Sequence, residues 1–430
     1  MTQGLVRVSS TRRVGVLSSL VCACLVALAA CSESVETRPP TVLRVLMTDD
    51  WVTPPFVAAV RDFERRHENV RVDVDSSQIS HMLETIAAAT RSGTPPDVVQ
   101  AHAFAAGAQG LAEPLDDLWE EALDPSEFLP GAMEDVTWAG RRYGVPLDTN
   151  ALFLLYNADH FASAGVPLPE APLTFEGFEK VARRVSTPDG SRRALAVPTS
   201  TWWAYGWISA NGGDVVQVAT DGSVQLTLDA PEVVGALDFL SRLVRANLIF
   251  PPRAADSHSG DALSLFRAGS ATMLATGSWD LAIVRRDAGG DRYRAVPLPR
   301  GAGDERSGTV MGGSSLFVPK GSQLRQLAFD FMVHVTSDRY ALRLAKEEGR
   351  LPVRSRLYQD PYFQSPDLIT VLEGLRSAHP FTLEAFPEAG RVFAEAVDEV
   401  LRTGRDATTV LREAQERATQ LLPADAARRP

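Results

Sequence analysis

The sequence predicts an α/β protein folded as two bodies, and three observations carry that reading. The chain has 430 residues, well beyond what one hydrophobic core supports, so two or three domains are expected. From residue 42 the pattern alternates strand, helix, strand, helix, strand, the order that builds an α/β layer. A second stretch, from about 174 to 283, is again mixed helix and strand. With 45% apolar and 23% charged residues, the chain holds ample core material and lacks the composition of a disordered one.

Residues 1–30 read as a lipoprotein signal peptide. A basic stretch ends at Arg12-Arg13, an apolar run covers 14–28, and Leu28-Ala29-Ala30-Cys31 sets small residues before a cysteine. The run is too short for a stable span, which needs about 20 apolar residues, and Ser19 and Cys22 interrupt it. Cleavage before Cys31 leaves that cysteine to carry the lipid. Cys22 and Cys24 leave with the peptide, so neither a disulfide nor a thiolate-bound metal is expected in the mature chain. Residues 31–41, polar and closed by Pro39-Pro40, read as a tether to the membrane. Loss of Arg7, Arg12 and Arg13 makes a chain of formal charge −11 more acidic still. That balance argues against nucleic acid as a partner.

Residues 42–47 are a short branched apolar run broken only by Arg44, as in a strand buried on both faces of a parallel sheet. Asp49-Asp50-Trp51 follows it. Thr53 is placed to cap a helix opened by Pro54, with Phe56, Ala59, Val60 and Phe63 at helical spacing. Val70, Val72 and Val74 alternate as a second strand. Ile79, Met82, Leu83 and Ile86 share a helix face that stops near Gly93, and Pro95-Pro96 turns the chain into a third strand at 97–99. Residues 151–157 form another buried strand, and a helix is expected over 231–245. Near the C-terminus Phe386, Val392, Phe393, Ala396, Val397, Val400 and Leu401 make one helical stripe. Gly404 stops it, and a last helix starts near Ala407.

The order of several short blocks is more specific than any one of them. Gly93-Thr94-Pro95-Pro96-Asp97-Val98 precedes Tyr143-Gly144-Val145-Pro146, Leu155-Tyr156-Asn157 and Leu173-Thr174-Phe175-Glu176-Gly177-Phe178. Residues 265–273, Gly277-Ser278-Trp279, Gly312-Gly313-Ser314-Ser315 and Gly349-Arg350-Leu351-Pro352 follow. In this order they resemble the family 1 extracellular solute-binding proteins, which include maltose-, trehalose- and glycerophosphodiester-binding proteins. The resemblance implies a two-lobed periplasmic-binding-protein-like α/β fold with discontinuous lobes joined by a hinge. The N-terminal lobe would comprise 42–148 and 300–356, the C-terminal lobe 149–299 and 357–430. It also implies a monomeric lipoprotein that closes its lobes over a small molecule and delivers it to the membrane permease of an ABC importer. A di- or oligosaccharide is the expected ligand, a glycerophosphodiester the alternative, and no cofactor is implied.

A sugar offers apolar C–H faces and a rim of hydroxyls, so its site calls for aromatic rings and planar polar groups. Trp202, Trp203, Tyr205 and Trp207 crowd into one segment; if it is extended, the odd-numbered rings share a face, and otherwise they fill the core. Trp279 sits beside Gly277, where the family places a ring at the cleft. Asp49, Asp50 and Trp51 follow the first strand, where open α/β sheets bind ligands, although helix capping would also account for the carboxylates. Asp148, with Thr149 and Asn150, lies next to the presumed hinge. Gly313 and Ser314 are expected to offer exposed backbone N–H groups and a hydroxyl. Arg350 brings a forked donor suited to hydroxyls, a carboxylate or a phosphate. His81 and His102 fall near lobe edges and rank below these.

Catalytic signatures are missing. There is no Gly-x-Ser-x-Gly elbow, Gly308 to Gly313 lacks the lysine of a phosphate loop, and Gly301-Ala302-Gly303 runs to Arg306 where a dinucleotide fingerprint needs glycine. The seven histidines are scattered, which gives no metal-ligand spacing. The chain therefore reads as a binding protein and not an enzyme.

Overall fold

A computed structural model describes residues 39–77, 82–197, 201–218, 223–250, 260–288, 292–301 and 308–422. Residues 1–30, Cys31, Ile79 and His81 lie outside the described residues. Strands β1 (Thr41–Thr48), β2 (Val70–Ser77) and β3 (Val98–Ala101) alternate with helices Pro54–Arg66 and Met82–Arg91, as the periodicity predicts. β1 pairs in parallel with β3, Val45 opposite Val98, because each helix carries the chain back to the sheet edge it left. Pro54 opens the first helix, but Thr53 at its N-cap makes no side-chain cap bond.

A short hairpin, β4 (Thr137–Trp138) and β5 (Arg141–Arg142), leads into β6 (Gly144–Ala151), every residue of which is buried. After Leu152 the chain resumes as β7 (Phe153–Asn157), now in a different sheet. Then come β8 (Arg193–Ala196), the hairpin of β9 (Val216–Val218) and β10 (Val224–Leu226), and β11 (Ala271–Thr276) with β12 (Tyr293–Pro297). The second sheet runs β12-β7-β11-β8. The long β13 (Thr309–Phe317) returns to the first sheet, antiparallel to both β3 and β6, and β14 (Ala378–His379) pairs with its start.

Three hydrophobic clusters follow from this topology. Leu43, Phe63, Val98, Trp119, Phe317 and Phe329 pack around the first sheet. Trp207, Phe239, Leu237 and Phe393 pack with one face of the second, and Phe153, Phe266 and Phe363 with the other. Helix Pro231–Arg245 keeps the bounds the sequence suggests. Helix Pro387–Thr403 buries Val392, Phe393, Ala396, Val397, Val400 and Leu401 and ends at Gly404, which takes φ 69°. That left-handed geometry is cheap only for glycine. Among the described residues no helix is long and apolar enough to cross a membrane.

The structure decides between the two conformations left open for the tryptophan-rich segment: it is a helix, Thr201–Ala210, and not extended. Its residues are apolar nearly all round, so neither a period of 2 nor one of 3.6 stands out locally, and every residue from Trp203 to Ala210 is buried.

Candidate ligand-binding site

The two sheets are joined where β6 passes into β7, and the candidate residues gather at that passage. Beyond Thr48 at the end of β1, Asp49–Trp51 forms a 3-10 turn that exposes Asp49 and Asp50 and buries Trp51. The Arg350 guanidinium lies 4.8 Å from the centre of the Trp51 ring. It pairs with the Asp50 carboxylate and stands 4.0 Å from Asp148 Oδ2. Arg350 is delivered there by Gly349, which ends helix Asp338–Glu348 at φ 71°. Any Cβ at Gly349 would also lie 2.9 Å from the Ser278 carbonyl, so glycine is required twice over.

Asp148 is 5% exposed and accepts a bond from Ser314 Oγ at 3.0 Å. Burial pushes its carboxyl up to about 6, against the pull of Arg350 and Ser314 and with help from Asp50. The result is a flat cation resting on an indole and flanked by two carboxylates, a surface of fixed acceptors and donors for polar hydroxyls.

Aromatic rings stand beside this cluster. Trp202 and Trp279 are half-buried, with ring centres 6.1 Å apart at 43°. Trp202 Nε1 donates to the Met311 carbonyl at 2.8 Å, which fixes its plane against β13. Ser278, next to Trp279, is tied to Asn150 of β6: its backbone N–H donates to Asn150 Oδ1 at 3.0 Å, and Asn150 Nδ2 donates to its hydroxyl at 2.7 Å. The same hydroxyl donates to the Gly349 carbonyl at 2.5 Å. The helix that presents Trp279 is thus tied to the residue preceding Arg350.

Asp50, Trp51, Asp148, Gly313, Ser314 and Arg350 converge, and Trp202 and Trp279 lie close by. Three of the four crowded aromatics do not join them. Trp203 is 1% exposed, Tyr205 3% and Trp207 0%. Trp207 packs on Phe178 and Phe239, and Tyr205 donates its hydroxyl to Asp214 at 3.0 Å. The helix turns these rings into the core and leaves only Trp202 at its open side. Asp49 is exposed and is not among the residues that converge.

Gly313 and Ser314 also differ from expectation. They lie within β13, paired with Thr149 and Asp148 of β6, so they form no exposed loop of N–H groups. Gly313 has φ 108°, and a Cβ there would come 2.4 Å from the Asp148 carbonyl. Gly313→Ala is therefore expected to destabilise the protein by at least about 1–3 kcal/mol from backbone strain alone, read from urea unfolding midpoints. An unchanged midpoint would show that the strand can shift without cost.

Sequence reasoning ranked His102 low and passed over Gln100. His102 Nδ1 lies 2.5 Å from Asp135 Oδ1 and Nε2 lies 3.5 Å from Glu384 Oε2. Burial alone would lower its pKa, but Glu384 and Asp135 outweigh burial and hold it at about 10. Burial in turn raises the Glu384 carboxyl, which His102 draws back down. Gln100 is 1% exposed between apolar neighbours in β3. A lone amide in a fully buried strand was the available signal, since such a group must find partners.

The sequence profile of the family described as bacterial extracellular solute-binding protein matches residues 58–370. The maltotriose-binding protein of Pyrococcus abyssi is 25% identical over 357 residues, covering 80% of this chain and 75% of that protein. The sn-glycerol-3-phosphate-binding periplasmic protein of Rhizobium meliloti is 23% identical over 365 residues, 78% of this chain and 83% of its own length. Among solved structures, the GacH receptor of Streptomyces glaucescens, known unliganded and with acarbose, matches with a TM-score of 0.77 at 20% identity, covering 90% of this chain and 99% of that one. The glycerophosphocholine complex of UgpB from Mycobacterium tuberculosis matches with a TM-score of 0.76 at 20% identity, covering 89% and 98%. These structural likenesses establish the fold as the two-lobed α/β fold of such binding proteins. The profile match spans well over half of the chain, and the chain accordingly belongs to the family of bacterial extracellular solute-binding proteins.

Proposed function

We propose that this chain is the lipid-anchored capture component of an ABC importer and that its ligand is a di- or oligosaccharide. The observation that carries the ligand class is Arg350, stacked on Trp51 and set between Asp50 and Asp148. A guanidinium already flanked by two carboxylates has little net charge to offer a phosphate, whereas the trio suits a rim of neutral hydroxyls. The Trp202 and Trp279 rings add apolar faces for the sugar ring. Relatives named for maltotriose, maltodextrin and diacetylchitobiose support the same class. The lobes are taken as 42–148 with 300–356 and 149–299 with 357–430, closing on ligand as a monomer. Cys31 carries the lipid, and the closed form meets the permease.

A glycerophosphodiester is the second reading, favoured by the sn-glycerol-3-phosphate relative and by the forked donor of Arg350. For a phosphodiester to bind there, Arg350 would have to leave Asp50, which a negatively charged site opposes.

The test is a thermal-shift and tryptophan-fluorescence screen of the chain from Ser32 onward against maltose, maltotriose, diacetylchitobiose and glycerophosphocholine. Ligand at 100 times its dissociation constant stabilises by about 2.7 kcal/mol, a shift of a few degrees. A sugar response that Trp279→Ala weakens by about tenfold or more supports the first reading. A response to glycerophosphocholine alone moves the ligand class to the second, and small-angle scattering with no compaction on binding would remove the closure step.

A further inference from the structure

A buried hydrogen-bond relay links the two carboxylates that flank Arg350, and its centre is Gln100. Ser314 Oγ carries one hydrogen, which it donates to Asp148 Oδ1 at 3.0 Å. Its remaining bond must be one it accepts, and Gln100 Nε2 donates to it at 2.9 Å. That sets the direction of the amide, so Gln100 Oε1 faces β1 and accepts from the Thr48 backbone N–H at 2.9 Å. The Thr48 hydroxyl lies 3.1 Å from the same oxygen and 2.6 Å from Asp50 Oδ1, and the shorter contact takes its single hydrogen. Read outward from Gln100, the amide nitrogen orders the hydroxyl that holds Asp148, and the amide oxygen orders the end of β1 that holds Asp50. Gln100, Ser314 and Thr48 are all buried, so water cannot substitute for a lost partner.

Resting on the proposed ligand-binding reading, we propose that Gln100 is a positioning residue that does not touch ligand. Through Ser314 and Thr48 it holds Asp148 and Asp50 as fixed acceptors on either side of Arg350, and it thereby sets the spacing that a hydroxyl-bearing ligand must match. The chemistry requires an amide at this position. A carboxylate in the same shape has no hydrogen to give Ser314; it would draw the Ser314 hydroxyl to itself and leave Asp148 without its donor. An apolar side chain of similar length would fill the volume and leave both hydroxyls free to turn.

The experiment uses the chain from Ser32 onward with Gln100→Glu and, as the variant least disturbing to packing, Gln100→Met. In the ligand-free protein the Asp148 carboxyl is titrated by carbon NMR and assigned with Asp148→Asn. The groups that face it are Arg350, Asp50, His102 and Tyr358, and neither variant alters them. The wild-type midpoint is expected near the value of about 6 to which burial drives it. Gln100→Met should raise it by about half a unit and Gln100→Glu by about one unit or more, through loss of the Ser314 bond and a new like charge. With maltotriose as the probe, both variants should bind about tenfold or more weakly. A residue that matters only for folding would lower the melting temperature and leave the midpoint in place, and that outcome overturns the inference. If wild type ignores maltotriose while the midpoints move as stated, the relay stands and maltotriose is removed as the ligand.

Discussion

Replacing His102 by leucine will destabilise this protein by about 3–5 kcal/mol at neutral pH, the usual cost of removing one partner from a buried ion pair. Asp135 is 2% exposed and would be left as a buried carboxylate with its cation gone. Glu384 would lose the neighbour that draws its carboxyl down. The pH dependence has a definite sign. The His102 pKa rises from 6.5 to about 10 on folding, so the folded state binds this proton more tightly than the unfolded chain does. Its stabilisation is complete below pH about 6.5 and is lost as pH rises through about 10. The measurement is urea unfolding of wild type, His102→Leu, Asp135→Asn and the double variant between pH 6 and pH 10. The wild-type advantage should shrink across that range, and the double variant should cost less than the sum of the singles. A single-variant cost under about 1 kcal/mol, or a difference that does not change with pH, would mean that the pair contributes nothing beyond an exposed one.

Asp148→Asn should do the reverse, raising stability while removing function. Folding raises the Asp148 pKa from 3.8 to about 6, chiefly through burial. A raised carboxyl favours the folded state below its unfolded pKa, and that contribution is lost as pH climbs through about 6. At pH 7.5 wild type therefore holds an unfavourable buried charge that asparagine does not, and the variant should be more stable by about 2–3 kcal/mol, at about 1.4 kcal/mol per pKa unit. Below pH 4 the two proteins should converge. The same change turns a charged acceptor beside Arg350 into a neutral amide, and sugar affinity should fall by about tenfold or more. Such a gain in stability at the expense of binding is common where a site keeps a charge poorly solvated. Equal or lower stability of the variant at pH 7.5 would show that Arg350 and Ser314 together outweigh burial, and Asp148 would then be an ordinary paired carboxylate.

Much of the first sheet was legible in the sequence because its elements are strongly periodic. The alternating valines from Val70 and the helix opened by Pro54 each obey one clear period, the branched run before Asp49 stands out by composition, and all three form the elements expected of them. Helix Pro231–Arg245 and the C-terminal stripe stopped by Gly404 follow from the same logic. The convergence of Asp50, Trp51, Asp148 and Arg350 was partly legible too, since strand ends and residues beside the crossover are where such sheets gather their ligands.

The sequence by itself determined the alternation of strands and helices, and the ordered blocks marked the family, because both are written in local patterns a few residues long. Only the tertiary structure decided that Trp203, Tyr205 and Trp207 belong to the core while Trp202 faces Trp279, since a segment apolar nearly all round carries no local instruction about which face is covered. It also decided what Gln100 and Asn150 do. Their partners Ser314 and Ser278 lie 214 and 128 residues away along the chain. A buried amide announces only that it needs partners, and which ones it finds is settled by how the strands come together.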